Sequence, residues 1–154
     1  MARRASTVTI AIVLVVVAVI GAAAGVKLAR RGRTRVLGSV VAERTPIGTF
    51  AVSADDCAAG QAVGTPFFGV DLRGEGYTMR VAGSGDGARL WLYPPSGRGA
   101  MAIGKHDCTE WDVRVEKTDI TVNRVKAVSG RVNIRCTVYG GKVTAFISFE
   151  RCGW

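Results

Sequence analysis

Few residues in this chain have the types and spacing for chemistry, and the densest group is Lys105-His-Asp-Cys108, which holds the single histidine. A histidine beside an acid and a thiol can raise a nucleophile for hydrolysis. In an extended chain residues 106 and 108 share a face, so His106 and Cys108 could act together. Against this stand four cysteines, Cys57, Cys108, Cys136 and Cys152, an even set of the kind that pairs as disulfides in an exported chain. All four are therefore assigned to disulfides, no catalytic residue is assigned, and a hydrolase around His106 stays a minor alternative. A zinc centre needs three or four convergent ligands. One histidine and successive cysteine separations of 51, 28 and 16 offer no close-spaced pair to start one. Asp55, Asp56, Asp71 and Glu75 carry donors suited to calcium but lack the ligand spacing of a binding loop. No metal or other cofactor is expected.

Two further patterns concern binding. Gly83-Ser-Gly-Asp-Gly-Ala88 fits G-x-G-x-x-A by letter, a motif that holds phosphate only between a strand and a helix. Here it joins two strands, so a hairpin loop is expected. Trp91 and Tyr93 alternate with Leu90 and Leu92, which makes both faces of one strand apolar. Such a strand is either central and covered on both sides or presents Trp91 and Tyr93 as an aromatic platform for a sugar or peptide. Phe146, between Thr144 and Ser148 on a face away from the core, poses the same question.

The elements that must position these residues follow an uncharged run from Ala5 to Val26, preceded by Arg3-Arg4 and closed by Lys27. It is apolar all round, as lipid-embedded helices are, and about 20 residues suffice to span a bilayer. Ala22-Ala23-Ala24 also offers small residues for signal cleavage. Residues 1–27 are therefore read as a transmembrane anchor or a signal peptide, 28–47 as a basic linker and 48–154 as the folded domain. Orientation is contested. Lys27, Arg30, Arg31, Arg33 and Arg35 after the run outnumber Arg3 and Arg4 before it, which favours a cytoplasmic domain. The cysteines favour an oxidising compartment, and that side is preferred.

The net charge of +9 belongs mostly to this flank. Residues 1–35 hold seven bases and no acids, and the rest holds fourteen bases against twelve acids. A domain so close to neutral lacks the basic face that nucleic-acid binding requires, so no nucleic-acid partner is expected. The flank itself suits anionic headgroups, and the membrane is the expected partner of the N-terminal helix.

Beyond Gly48 short apolar alternations recur between Gly, Pro, Asn and Asp, the pattern of a sandwich or barrel. The fold class is all-β, an antiparallel β-sandwich or jelly-roll-like domain behind one N-terminal transmembrane helix. Strands are expected over 49–52, 67–72, 77–81, 88–93, 101–103 and 111–115, with one helical turn capped near Ser53–Cys57. A Gly140-Gly141 turn would set Val138 opposite Val143 and Ile134 opposite Ile147. A Ser129-Gly130 turn would set Ala127 opposite Val132. Both place the apolar residues on one side of the sheet.

That register separates Cys136 from Cys152 by seven residues along the strand at about 3.3 Å each, beyond disulfide reach, unless the chain departs from strand geometry after Phe149. The expected pairs are Cys108 with Cys152 and Cys57 with Cys136; Cys57 with Cys108 is the alternative.

The order Cys57, Phe67-Phe-Gly-Val-Asp-Leu72, Cys108, Val122-Asn123, Val128-Ser-Gly-Arg-Val132, Cys136 and Phe149-Glu-Arg-Cys152 resembles that of a group of small bacterial envelope proteins of unknown activity, many of them lipid-anchored. The resemblance spans residues 57–152 and implies an extracytoplasmic β domain without implying an activity. No cysteine follows the apolar run closely enough to carry a lipid. The expected function is a membrane-tethered extracytoplasmic binding or structural module for a protein or glycan ligand. The alternative is a cytosolic-facing tethered domain docking an inner-membrane partner.

Overall fold

The computed structural model describes residues 34–97 and 99–153. The apolar run and the first residues of the basic stretch lie outside them, and so do the anchor and signal-peptide expectations. Among the described residues no helix is long and apolar enough to cross a membrane.

Period-two alternation makes nearly all of the described chain strand. The first sheet holds β1 (Arg35–Thr45), β2 (Gly48–Ser53), β8 (Cys108–Val122), β9 (Val125–Val138) and β10 (Gly141–Cys152). The second holds β3 (Asp56–Ala59), β4 (Gly69–Gly74), β5 (Tyr77–Ala82), β6 (Arg89–Tyr93) and β7 (Met101–Ile103). Their orders are β2-β1-β10-β9-β8 and β3-β4-β5-β6-β7, antiparallel throughout. From β1 and β2 in one sheet the chain meanders through the whole of the other, then returns so that β10 lies against β1. This is a β-sandwich of two sheets. Its core is the set of inward residues from both, including Leu72, Val81, Leu90, Leu92, Val132, Ile134, Ile147 and Phe149, all at most 2% exposed.

Several boundaries differ from the expectation. Residues 35–45, expected within the basic linker, form β1, so the sandwich begins well before residue 48 and 49–52 belong to its second strand. Val40 and Ala42 supply the reason: both point into the core at 5% and 0% exposure, with the period-two spacing of a strand. The helical turn near Ser53–Cys57 is absent, because Cys57 pairs in β3 opposite Leu72.

The hairpins correct two turns. Ser129-Gly130 makes no turn; β9 runs straight through it, with Gly130 opposite Val115 and Phe149. A β-carbon at Gly130 would collide with the Arg114 carbonyl, so this glycine serves close backbone approach. The chain instead reverses at Asn123-Arg124, joining Val122 to Val125. The final hairpin turns at Tyr139-Gly140, two residues off the expected register, setting Val143 opposite Cys136 and Ile147 opposite Val132. A slip of two keeps every side chain on its own face, which is why the inward set agrees with the expectation and the cross-strand partners do not.

These turns also overturn the disulfides. The bonds are Cys57–Cys152 and Cys108–Cys136; neither the favoured pairing nor its alternative occurs. With the reversal at 123–124, the start of β8 lies beside Cys136, and Cys108 is its direct cross-strand partner. The end of β10 carries an extra residue between Phe149 and Cys152, with Arg151 at φ 55°. A bulge of one residue reverses side-chain parity, so Cys152 points inward, fully buried, and reaches Cys57 on the opposite sheet. Cys136 and Cys152 stay unjoined, as their distance along the hairpin requires.

The Gly83–Ala88 loop is a hairpin connection, as expected, with an added role. Ser84 Oγ accepts the Val115 N–H at 3.0 Å, and Gly85 O accepts the Trp111 indole N–H at 3.0 Å. The loop thereby covers part of the outer edge of β8, the longest edge strand, where unpaired backbone would otherwise invite another chain.

Candidate functional site

Alternation on β6 puts Leu90 and Leu92 in the core, fully buried. Trp91 and Tyr93 lie half-buried on the outer face, so the strand is not covered on both sides. Their cross-strand neighbours decide what they do. Arg80 stands opposite Trp91, and Asp71 opposite Arg80. The Arg80 guanidinium donates from Nε and Nη2 to the two Asp71 oxygens, both at 2.8 Å. It also lies over the Phe67 ring at 4.7 Å and the Tyr93 ring at 5.8 Å. Asp71, a candidate calcium donor by sequence, is 3% exposed and spent on this pair. The hydrogen bond to Asp71 raises the Arg80 pKa above its ordinary value, ahead of the opposing effect of burial. Tyr93 thus flanks the Arg80 guanidinium on the same outer face as Trp91.

On the other side of Trp91 is Ala102 of β7, too small to cover an indole. Here the end of the sandwich opens into a cleft of about 560 Å³, lined among others by Arg89, Trp91, Ala102, His106, Asp107 and Tyr139. Three elements meet there. β6 brings Arg89 and Trp91, the turn after β7 brings His106 and Asp107, and the β9–β10 hairpin brings Tyr139, 76% exposed at its tip. A cleft of this size lies within the range of small-ligand sites. A second hollow of about 470 Å³ adjoins it, sharing Arg89 and His106 and adding Lys105 and Asp86.

The turn is held by its own acid. Asp107 Oδ2 accepts the Gly104 N–H at 2.9 Å, and Oδ1 lies 3.3 Å from His106 Nε2. His106 itself is 74% exposed at its side chain. Gly104 makes the arrangement possible. A β-carbon there would stand 2.7 Å from His106 Cε1 and 3.4 Å from an Arg89 nitrogen. The residues flanking His106 do not build a nucleophile, because Cys108 Sγ is bonded to Cys136.

The sequence singles out Trp91 and His106, and the fold brings them to one cleft. It leaves Tyr93 in the Arg80 stack and Phe146 on the other sheet, 69% exposed. Sequence reasoning misses Arg89 and Tyr139. Arg89 carries no signal beyond lying next to Leu90, and Tyr139 sits at a turn that the expected register misplaces.

No protein-family model, no curated protein and no solved structure matches the chain.

Proposed function

We propose that the protein is a membrane-tethered extracytoplasmic binding module whose ligand enters the cleft beside Trp91. The observation that carries this reading is the placement of Trp91. A tryptophan that the core does not use faces an open cleft on a sandwich fastened by two disulfides. Tryptophan offers a large rigid contact at low entropic cost and is enriched at binding surfaces. The two disulfides suit an oxidising compartment, and the uncharged run from Ala5 to Val26 supports a tether.

Two measurements test the reading. A reporter active only outside the cytoplasm, fused after Trp154, is expected to be active; an inactive fusion of full expression would favour the cytosolic-facing alternative. Full-length protein in detergent is expected to be retained by isolated cell-envelope polysaccharide, with Trp91→Ala reducing retention roughly tenfold, the scale of a binding hot spot. Equal retention of the variant would remove the cleft from the proposal.

A further inference from the structure

Arginines on the strands commonly have an acid beside them. Arg73 pairs with Asp56, Arg80 with Asp71, Arg114 and Arg131 share Asp112, and Arg135 pairs with Glu110. Arg89 does not: among the described residues no carboxylate pairs with it, although it stands at the cleft wall. The acid in the lining, Asp107, is already committed on both oxygens, to the Gly104 N–H and to His106. Lys105, in the adjoining hollow, is paired with Asp86 at 2.6 Å. The cleft therefore presents one guanidinium without a carboxylate partner beside the half-buried Trp91 indole that lines it.

We propose that the cleft binds a carboxylated sugar, its pyranose face on Trp91 and its carboxylate on Arg89. This rests on the reading of the cleft as the ligand site and adds the class of ligand. The planar guanidinium fork matches a carboxylate bidentately. The flat apolar side of a sugar ring suits an aromatic face, and its hydroxyls suit the remaining polar wall. A polyphosphate chain would require several cations, and the domain outside residues 1–35 carries only two more bases than acids. The shared wall of the two hollows gives room for a neighbouring ring on the far side of Arg89, so an oligomer fits better than a monosaccharide.

The test is calorimetric titration of the full-length protein, oxidised and in detergent, with trimers of galacturonate and glucuronate and an N-acetylneuraminate oligomer. The methyl ester of each serves as the uncharged comparator. The acids are expected to bind, the esters about tenfold or more weaker, as loss of a charge-assisted bond implies. Arg89→Gln should weaken the acids to the level of the esters, and Trp91→Ala should weaken both. Arg89 is exposed, so its replacement leaves the fold intact, which an unchanged melting temperature verifies. Acid and ester bound equally, with Trp91→Ala still harmful, would overturn the carboxylate assignment and leave the cleft as the ligand site. Acids bound with no effect of Arg89→Gln would overturn it as well. No binding by any acid overturns the sugar assignment, whereas envelope retention lost in Trp91→Ala would still stand for the cleft.

Discussion

At the scale of single residues, Asp71 and Arg80 show how an outer face can hold a buried charge. Asp71 is 3% exposed, and both its oxygens accept bonds from one guanidinium. Asp71→Asn should destabilise the domain by roughly 1–3 kcal/mol, toward the low end because Arg80 retains 30% exposure. Replacing both residues with leucine should recover most of that loss, since an apolar pair avoids the desolvation cost of two ions. Urea denaturation of the two variants and the parent would show it. Asp112 is an exposed counterpart. A hydrogen bond from Arg131, then one from Arg114, holds its carboxyl below the ordinary value of 3.8. A depressed folded pKa contributes stability that is present above the unfolded value and lost as pH falls through the folded one. The acid limb of a stability profile below about pH 4 should therefore be shallower in Asp112→Asn, and high salt should shrink the difference.

At the scale of elements, the turns are the least legible part of the chain and the strands the most. Each of the two-residue turns Glu75-Gly76, Asn123-Arg124 and Tyr139-Gly140 has both residues at positive φ, the mirror-image turn that matches strand twist. Arg124 bears the side-chain penalty of that region at φ 67°, so Arg124→Gly should stabilise by about 1 kcal/mol, measurable as a higher urea midpoint with an unchanged slope. Alternation in β9 and β10 makes the inward residues readable from the sequence, because faces survive a slip of two. The partners are not readable, because glycine marks several different events. Gly130 answers to a neighbouring carbonyl, Gly141 begins a strand, and only Gly140 turns. The candidate site is obscured likewise. Trp91 and His106 carry their own signal, but their meeting with Arg89 and Tyr139 depends on which hairpin tip arrives at which end of the sandwich.

At the scale of the molecule, the two disulfides differ in what they join. Cys108–Cys136 ties neighbouring strands of one sheet, whereas Cys57–Cys152 ties one sheet to the other. Their loops span 28 and 95 residues. On chain-entropy grounds, replacing each pair by alanine should cost roughly 3–4 kcal/mol for the first and roughly 4–5 kcal/mol for the second. Denaturation of the two double variants should rank them so, with the second also losing the buried packing of both sulfurs. If the first variant is the weaker, the inter-sheet bond contributes less than its loop length implies.

The same inter-sheet bond sets a schedule for synthesis. At about 5–20 residues per second, Cys152 leaves the ribosome roughly 5–20 s after Cys57, and β1 waits longer still for β10. During that interval the facing sheet lacks β10, whose Ile147 and Phe149 belong to the shared core, and Cys57 lacks its partner. The Cys57 thiol is then available to anything nearby. The early Cys57 is open to wrong partners, and Cys108 and Cys136 arrive before the right one. A Cys57 that has paired with Cys108 or Cys136 must undergo thiol exchange before the Cys57–Cys152 bond can form.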